Sequence, residues 1–296
     1  MADYQIMSDA TVDFSDNLAA SQDIVIIPMI VEMDGTDYII GDKKSTISTT
    51  EFYRQLDKGA VARTAQVTAN TYYQYFEAEF REGRDVLLIS FSSGLSKSFE
   101  ASLMCAQKIR NDYPERKLYC IDSLCATGGH GLLVYSAAQK QKQGMSIDEL
   151  AAWVEGIKGS LSHWFTVDEL DTLYRGGRVS RTSAALGSML SIKPIIYING
   201  EGKLIPVNKV RGRRKSLETM AQTFRESWIA SDDPVVIGYG TDIEGANTLK
   251  EMITADGSGP KDIRFAVVGP VIGAHTGPTI VALFYFSNLK ERLRVG

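Results

Sequence analysis

The sequence predicts an α/β protein with an N-terminal, mostly parallel sheet flanked by helices, followed by a second α+β domain. Three observations carry this. Val86 to Ile89 is a short apolar run closed by Ser90-Phe91-Ser92-Ser93-Gly94-Leu95-Ser96, after which Phe99, Leu103, Met104 and Ile109 recur at helical spacing: a buried strand, a tight turn and a helix. Similar units alternate up to about Ile157, the pattern of a parallel sheet covered on both faces. From about Ser160 the texture changes, and Ile192–Ile198 and Lys203–Val210 flank Asn199-Gly200-Glu201-Gly202 as an antiparallel hairpin. The boundary is expected near Lys158, which gives domains of residues 1–158 and 159–296.

In chain order, Tyr4–Met7 reads as the first strand, ending in the polar turn Ser8-Asp9-Ala10-Thr11-Val12-Asp13. Ile24–Met33 reads as the second strand, with Asp34-Gly35 as a hairpin signal before Tyr38–Ile40. Ser48 opens a helix through Phe52, Tyr53 and Leu56, and Arg63 to Thr68 forms a polar link to another helix. That helix carries Tyr72, Tyr73, Tyr75, Phe76 and Phe80, aromatics that belong to a core or to the wall of an apolar ligand cavity. Lys117–Ile121 is a strand, Thr127–Gln139 an apolar helix with Gly128-Gly129 near its start, and Ser146 caps the next helix. Beyond the boundary come a strand at Trp164–Val167, a short helix from Asp168 to Leu173 and a basic, glycine-broken turn, Tyr174-Arg175-Gly176-Gly177-Arg178-Val179-Ser180. A helix is expected at Ser183–Leu190, another through Leu217, Met220, Phe224 and Trp228, and strands at Val235–Tyr239, Phe265–Val268 and Ile280–Phe286. Gly269 to Pro278, which holds His275, reads as a loop.

Composition narrows the function. The chain has 296 residues, 44% of them apolar and 23% charged, with a formal net charge of -4, so nothing favours general attraction to nucleic acid or anionic lipid. The first residues show no secretory pattern and the longest apolar runs are too short for a bilayer span, so a cytoplasmic protein without stable membrane insertion is expected. Three cysteines, Cys105, Cys120 and Cys125, without paired spacing and with only three histidines beside them, argue against zinc; buried thiols are expected and no cofactor is called for.

The chemistry concentrates at the serine turn. At the carboxyl end of a parallel strand it lies where open α/β sheets bind ligands, and the N–H groups and dipole of the following helix favour an anion there. Ser92, Ser93 and Ser96 offer hydroxyls and Gly94 lets a ligand approach the backbone, so a carboxylate or phosphate suits the turn; the plainer alternative is a serine that caps the helix. A serine hydrolase using Ser93 with His275 is a competing reading, but the turn is not a Gly-x-Ser-x-Gly elbow and no acid partner is identifiable. A self-contained kinase lacks a phosphate-binding glycine loop, although Asp9, Asp13 and Asp122 stand at strand ends where they hold a metal or, more commonly, cap turns. Nucleic-acid binding through Lys209–Lys215 lacks any recognition helix or stacking motif.

Five segments in order resemble the DegV family of lipid-binding proteins, which includes the fatty-acid-binding subunit of bacterial fatty acid kinase. They are Ser8–Asp13, Ser92–Ser96, Phe165–Ser180 with Arg175-Gly176-Gly177-Arg178, Leu190–Ile195 with Ile192-Lys193-Pro194, and Gly273-Ala274-His275-Thr276-Gly277-Pro278. Departures are Thr64-Ala65-Gln66-Val67-Thr68, which lacks the family's Ser and Pro, Lys97–Glu100 in place of Gly-Thr-Tyr-Gln, Ala10 where Ser or Thr is common, and Thr279 in place of a Gly. These leave the fold untouched and bear on the tail preference of the pocket.

The resemblance implies that a long-chain fatty acid lies in an apolar tunnel between or within the domains. Its carboxylate would be held at Ser93 with Ser92 nearby, Gly94, Thr64, His275 and Thr276. The resemblance further implies a separate ATP-dependent kinase subunit that phosphorylates this carboxylate, the protein itself being no enzyme. Arg175 and Arg178 in the glycine-broken turn, with Arg211, Arg213 and Arg214 in a second basic run, are the candidate docking surface for it. At about 0.8 kcal/mol per buried methylene, a long acyl chain supplies on the order of 10 kcal/mol before ordering costs, comparable to submicromolar binding.

Overall fold

Apolar β-rich segments separated by Gly/Ser turns and amphipathic helices assemble into three sheets. A computed structural model describes residues 3–14, 21–41, 45–180, 191–255, 257 and 259–288. In the first sheet β1 (Tyr4–Asp9), β2 (Ile24–Ile27), β6 (Asp85–Ser90) and β7 (Leu118–Asp122) are all parallel, in the order β2-β1-β6-β7. Val86 to Ile89 are buried on both faces, as a central strand of a doubly covered parallel sheet requires. Helices α2 (Ala69–Arg81) and α3 (Ser98–Asp112) lie against one face, and α4 (Thr127–Lys142) and α5 (Ile147–Ile157) pack on the other side.

The expected second strand, Ile24–Met33, is two strands. Pro28 has no N–H to give a ladder and separates β2 from β3 (Met29–Met33), which leaves for a three-stranded antiparallel sheet in the order β4-β3-β5. β4 (Thr36–Ile40) returns through Asp34 and Gly35, both at positive φ, the left-handed pair that a two-residue hairpin loop requires. β5 (Ala62–Ala65) occupies part of the stretch read as a polar link; it pairs Thr64 with Val31 at the sheet edge, and Ala-Arg-Thr-Ala has no apolar face to announce it. α1 (Thr49–Asp57) begins at Ser48, whose hydroxyl caps the Glu51 N–H.

Tyr72, Phe76 and Phe80 are fully or almost fully buried in the core between α2 and the first sheet, so the aromatic helix serves packing rather than a cavity wall. In α3 the buried face is Ala101, Ser102, Cys105, Ala106 and Ile109, while Leu103 and Met104 of the expected apolar spacing face solvent. None of the three cysteines forms a disulfide, and Cys105 and Cys125 are buried.

After α5 a 3₁₀ turn at Lys158–Ser160 leads into the second sheet. Its strands are β8 (Leu161–Thr166), β9 (Ile192–Ile198), β10 (Leu204–Arg211), β11 (Val235–Tyr239), β12 (Ile263–Val267) and β13 (Val281–Phe286), in the order β10-β9-β8-β13-β11-β12. All pairs are antiparallel except β11 with β12, which are joined through α8 (Ile243–Thr254). α7 (Arg213–Ser227) and α8 bury one face of this sheet. α4 covers the other face, and its start requires Gly128 and Gly129: a Cβ at Gly129 would stand 2.1 Å from His163 Nε2, and one at Gly128 would stand 2.7 Å from the Phe284 ring. One continuous core therefore runs from Leu87 and Ile89 of the first sheet to Phe165, Ile196 and Phe284 of the second. The helix expected at Ser183–Leu190 lies outside the described residues.

The segment Gly269–Pro278, read as a loop, is mostly helical: α9 spans Pro270–Thr276. Proline at its first position costs no hydrogen bond, and Gly277 at φ 74° ends it, so the residues that suggested a loop are the boundaries of a short helix.

Candidate functional site

The serine turn is fixed from beneath by Asp9. This fully buried carboxylate accepts from the Phe91 N–H at 2.6 Å, the Ser90 hydroxyl at 2.9 Å and the Tyr72 hydroxyl at 2.6 Å. Asp122 accepts from the N–H groups of Ser93 and Leu124, both at 3.1 Å. Asp13 accepts from the Thr127 hydroxyl at 2.6 Å and from the Gly269 N–H, and burial pushes its pKa up to about 7. These strand-end acids hold turns, and among the described residues no group of three or more metal-ligating side chains converges. His130 is buried between Ser8, Thr11 and the Ile89 carbonyl, where desolvation lowers its pKa, and is part of the same scaffold.

Ser92 is turned away from the expected ligand. Its fully buried hydroxyl donates to the Gly202 carbonyl at 2.8 Å, tying the β9–β10 turn to the serine turn. The approach is so close that a Cβ on Gly94 would stand 2.7 Å from Gly202 O, and one on Gly202 would stand 2.0 Å from Ser92 Oγ. No side-chain cap closes the start of α3; Ser96 accepts from the Ser98 N–H at 3.2 Å.

Between the first and second sheets lies a cavity of about 420 Å³, within the usual range for small-molecule sites. Phe91, Phe165, Leu173, Ile198, Ile272 and Phe284 give it apolar walls, and among the described residues no Asp or Glu lines it. Of the residues singled out in the sequence, Ser93, Gly94, Thr64, His275 and Thr276 all line it, drawn from the serine turn, β5 and α9. Ser92 does not. Thr64 Oγ1 and His275 Nε2 are 2.8 Å apart. Burial, with the Arg178 guanidinium nearby, pushes the His275 pKa down to about 4, so the imidazole is neutral at pH 7. The Thr276 hydroxyl donates back to the Ile272 carbonyl at 3.2 Å, the ordinary bond of a helical threonine.

The arginines divide. Arg178, expected on a docking surface, is half-buried and lines the cavity; its Nε donates to Leu95 O at 3.1 Å and a second guanidinium N–H reaches Gly176 O. It has no acidic partner among the described residues, and burial lowers its pKa. Arg213, expected in an exposed run, is pinned: it bonds Asp242 Oδ2 at 2.6 Å and Thr279 O at 2.6 Å, tying α7 to the start of α8 and the approach to β13. Arg175 and Arg211 are exposed, and Arg214 reaches only Glu218, one turn along its own helix, at 3.2 Å. The sequence reading missed Arg178 as a cavity residue; its signal was Gly176-Gly177, since a Cβ at Gly176 would stand 2.4 Å from His275 Nδ1 and Gly177 takes φ 74°.

Residues 3–288 match the DegV family of uncharacterised proteins. A DegV domain-containing protein of Clostridium perfringens is 38% identical over 292 residues, covering 98% of this chain and all of that protein. Among solved structures, a DegV lipid binding protein from Thermotoga maritima superposes with a TM-score of 0.83 at 24% identity, covering 97% of this chain and 99% of that one. The Fatty Acid Kinase (Fak) B3 protein of Streptococcus pneumoniae, loaded with linoleic acid, superposes with a TM-score of 0.84 at 18% identity, covering 97% of this chain and all of that one. With the family match and the close relative both running nearly end to end, the chain belongs to the DegV family.

Proposed function

We propose that this protein binds a long-chain fatty acid, with the tail in the inter-sheet cavity and the carboxylate at Thr64, Ser93, Gly94, His275 and Thr276. Residues 1–158 and 159–296 then act as two domains sharing one site. The observation that carries the reading is a cavity with apolar walls, lined by no acid among the described residues, into which Arg178 brings a guanidinium, likewise without an acidic partner among them, beside the Thr64–His275 pair. A carboxylate supplies the missing counter-charge, and the hydroxyls orient it while methylene burial supplies affinity. The fatty acid in the Streptococcus pneumoniae protein and the lipid-binding description of the Thermotoga protein support the same ligand class.

In this reading the protein is not itself a catalyst. It presents the carboxylate, in the bacterial cytoplasm, to a separate ATP-dependent kinase that makes the acyl phosphate. The fatty acid kinase relative supports the kinase. A hydrolase fits poorly, since His275 Nε2 is engaged with Thr64 and among the described residues no acid lines the cavity to orient it. Native mass spectrometry of protein expressed in bacteria tests the ligand: one equivalent of long-chain fatty acid is expected. Absence of lipid, together with no uptake of added oleate by delipidated protein, would overturn the reading.

A further inference from the structure

One amine stands among the residues around the inter-sheet cavity. Lys97 lines it together with Ser93, Thr64 and His275, and among the described residues no other lysine does. The serine turn puts it there: the N–H groups of Leu95 and Ser96 both donate to Ser92 O, at 3.0 and 3.1 Å, so the chain curls tightly from Ser93 to Lys97 and keeps both on one rim. Lys97 is also the residue from which α3 starts. Its carbonyl accepts the Ala101 N–H at 3.1 Å, which fixes the backbone, while its side chain makes no capping bond. That side chain is exposed and forms no ion pair with a described residue, so it lies at the mouth of the cavity with its ammonium uncommitted to any acid there. Where the DegV pattern has glycine, this chain thus carries a nucleophile. Arg178, just past α6 (Asp171–Arg175), brings a guanidinium to the same cavity.

We infer that Lys97 is a self-acylation site, whose ε-amine takes the acyl group from an acyl phosphate held in the cavity and becomes an N-acyl-lysine. The inference rests on the fatty-acid and kinase reading above. An acyl phosphate is a mixed anhydride, and its carbonyl carbon accepts amine nucleophiles. With the head group at Ser93, Thr64 and His275, that carbon lies at the rim that Lys97 shares. The neutral amine, its ammonium proton having passed to water, adds its lone pair to the carbonyl carbon and forms the new C–N bond. The bond from that carbon to the bridging oxygen breaks, and its electron pair leaves on inorganic phosphate. The surplus proton on nitrogen passes to the departing phosphate and an amide remains. Arg178 neutralises the charge that gathers on the leaving phosphate oxygens. Holding amine and carbonyl in one cavity makes the step effectively unimolecular, which sets Lys97 apart from lysines elsewhere on the surface. The amide keeps its acyl chain in the apolar cavity and excludes the next fatty acid. Acylation therefore withdraws the protein from carboxylate presentation whenever acyl phosphate stays bound too long.

Oleoyl phosphate is the probe. Delipidated protein is incubated with it, with and without saturating oleate, and the modified residues are mapped by peptide mass spectrometry. Lys97 is expected to gain one oleoyl group at least about ten-fold faster than any other lysine, the advantage of a reaction within one cavity. The linkage should survive hydroxylamine, as an amide does, and oleate should suppress labelling at Lys97 alone. Lys97→Arg, which keeps the charge and loses the nucleophile, should show only the slow background of the surface lysines. Wild type labelled at Lys97 should no longer take up oleate. Labelling spread evenly over the lysines, labelling of Lys97 that oleate leaves unchanged, or an ester on Ser93 in its place that hydroxylamine releases would overturn the proposal, while oleate binding by the unlabelled protein keeps the fatty-acid reading standing. Failure of unlabelled wild type to bind either ligand would overturn both.

Discussion

Thr64 Oγ1 stands 2.8 Å from His275 Nε2, although the two residues belong to an edge strand of one sheet and a short helix 211 positions later. The pair joins the antiparallel three-stranded sheet to α9 and forms part of the cavity wall. Because the two act as one unit, Thr64→Ala and His275→Ala should each weaken fatty acid binding about ten-fold, the cost of one hydrogen bond to a charged group. The double variant should lose little more than either single change. Calorimetric titration of oleate into delipidated protein measures this, and fully additive losses would show that the two residues hold the ligand independently.

Ser93→Ala should weaken binding to a similar degree, whereas Ser92→Ala should not. Ser92 donates to Gly202 O and does not line the cavity, so its loss should lower stability by about 1 kcal/mol with affinity retained. Denaturant melts and oleate titration of the two variants, side by side, test the division. A loss of affinity confined to Ser92→Ala would reverse the assignment.

Arg178 both lines the cavity and lowers the His275 pKa to about 4, behind the larger effect of burial. Arg178→Gln should therefore raise the His275 pKa towards the ordinary 6.5 and weaken fatty acid binding about ten-fold. Imidazole proton shifts followed by NMR from pH 3.5 to 8 give the first readout. An unmoved titration curve would remove the guanidinium from the site.

The sequence made the parallel first sheet, the hairpin of β9 with β10 and the serine turn legible, because each depends on local periodicity and turn chemistry. What it hid depends on partners distant in the chain. β5 has no apolar alternation and exists because β3 offers it an edge. α9 is only seven residues long, and its terminal Pro and Gly read equally as loop residues. Arg213 and Arg178 both looked like surface cations; Asp242 and the inter-sheet cavity decide otherwise. Ser93 stood out locally as part of the serine turn, but its meeting with His275 was legible only as a resemblance, since nothing local announces that a turn at residue 93 and a helix at residue 275 share a wall.

Asp13 links the first-strand turn to Thr127 at the start of α4 and to Gly269 ahead of α9. Its folded pKa of about 7 lies above the ordinary 3.8, so the neutral carboxyl is favoured in the folded state. That contribution to stability is complete below pH 3.8 and is lost as pH rises through 7. Asp13→Asn, which keeps the shape without the titration, should flatten the dependence of the denaturation midpoint between pH 4.5 and 8. Parallel curves for the variant and wild type would show that Asp13 titrates normally.

Kinase docking is the remaining prediction, and the structure changes which arginines can test it. Arg213 bonds both Asp242 and the Thr279 carbonyl, so Arg213→Glu would place two carboxylates against each other and unsettle the junction of α7, α8 and the approach to β13. A loss of acyl phosphate in that variant would report damage rather than docking. Arg211 and Arg214 are exposed, do not line the cavity, and leave the lipid site untouched when reversed. Arg211→Glu/Arg214→Glu should keep fatty acid binding and thermal stability while acyl-phosphate formation with a cognate kinase and ATP falls by at least about ten-fold. That loss should grow at low salt, where repulsion of an acidic kinase surface is least screened. Product formation equal to wild type at both low and moderate salt would remove this face of the second sheet as the kinase interface and leave Arg175 as the exposed member of the set.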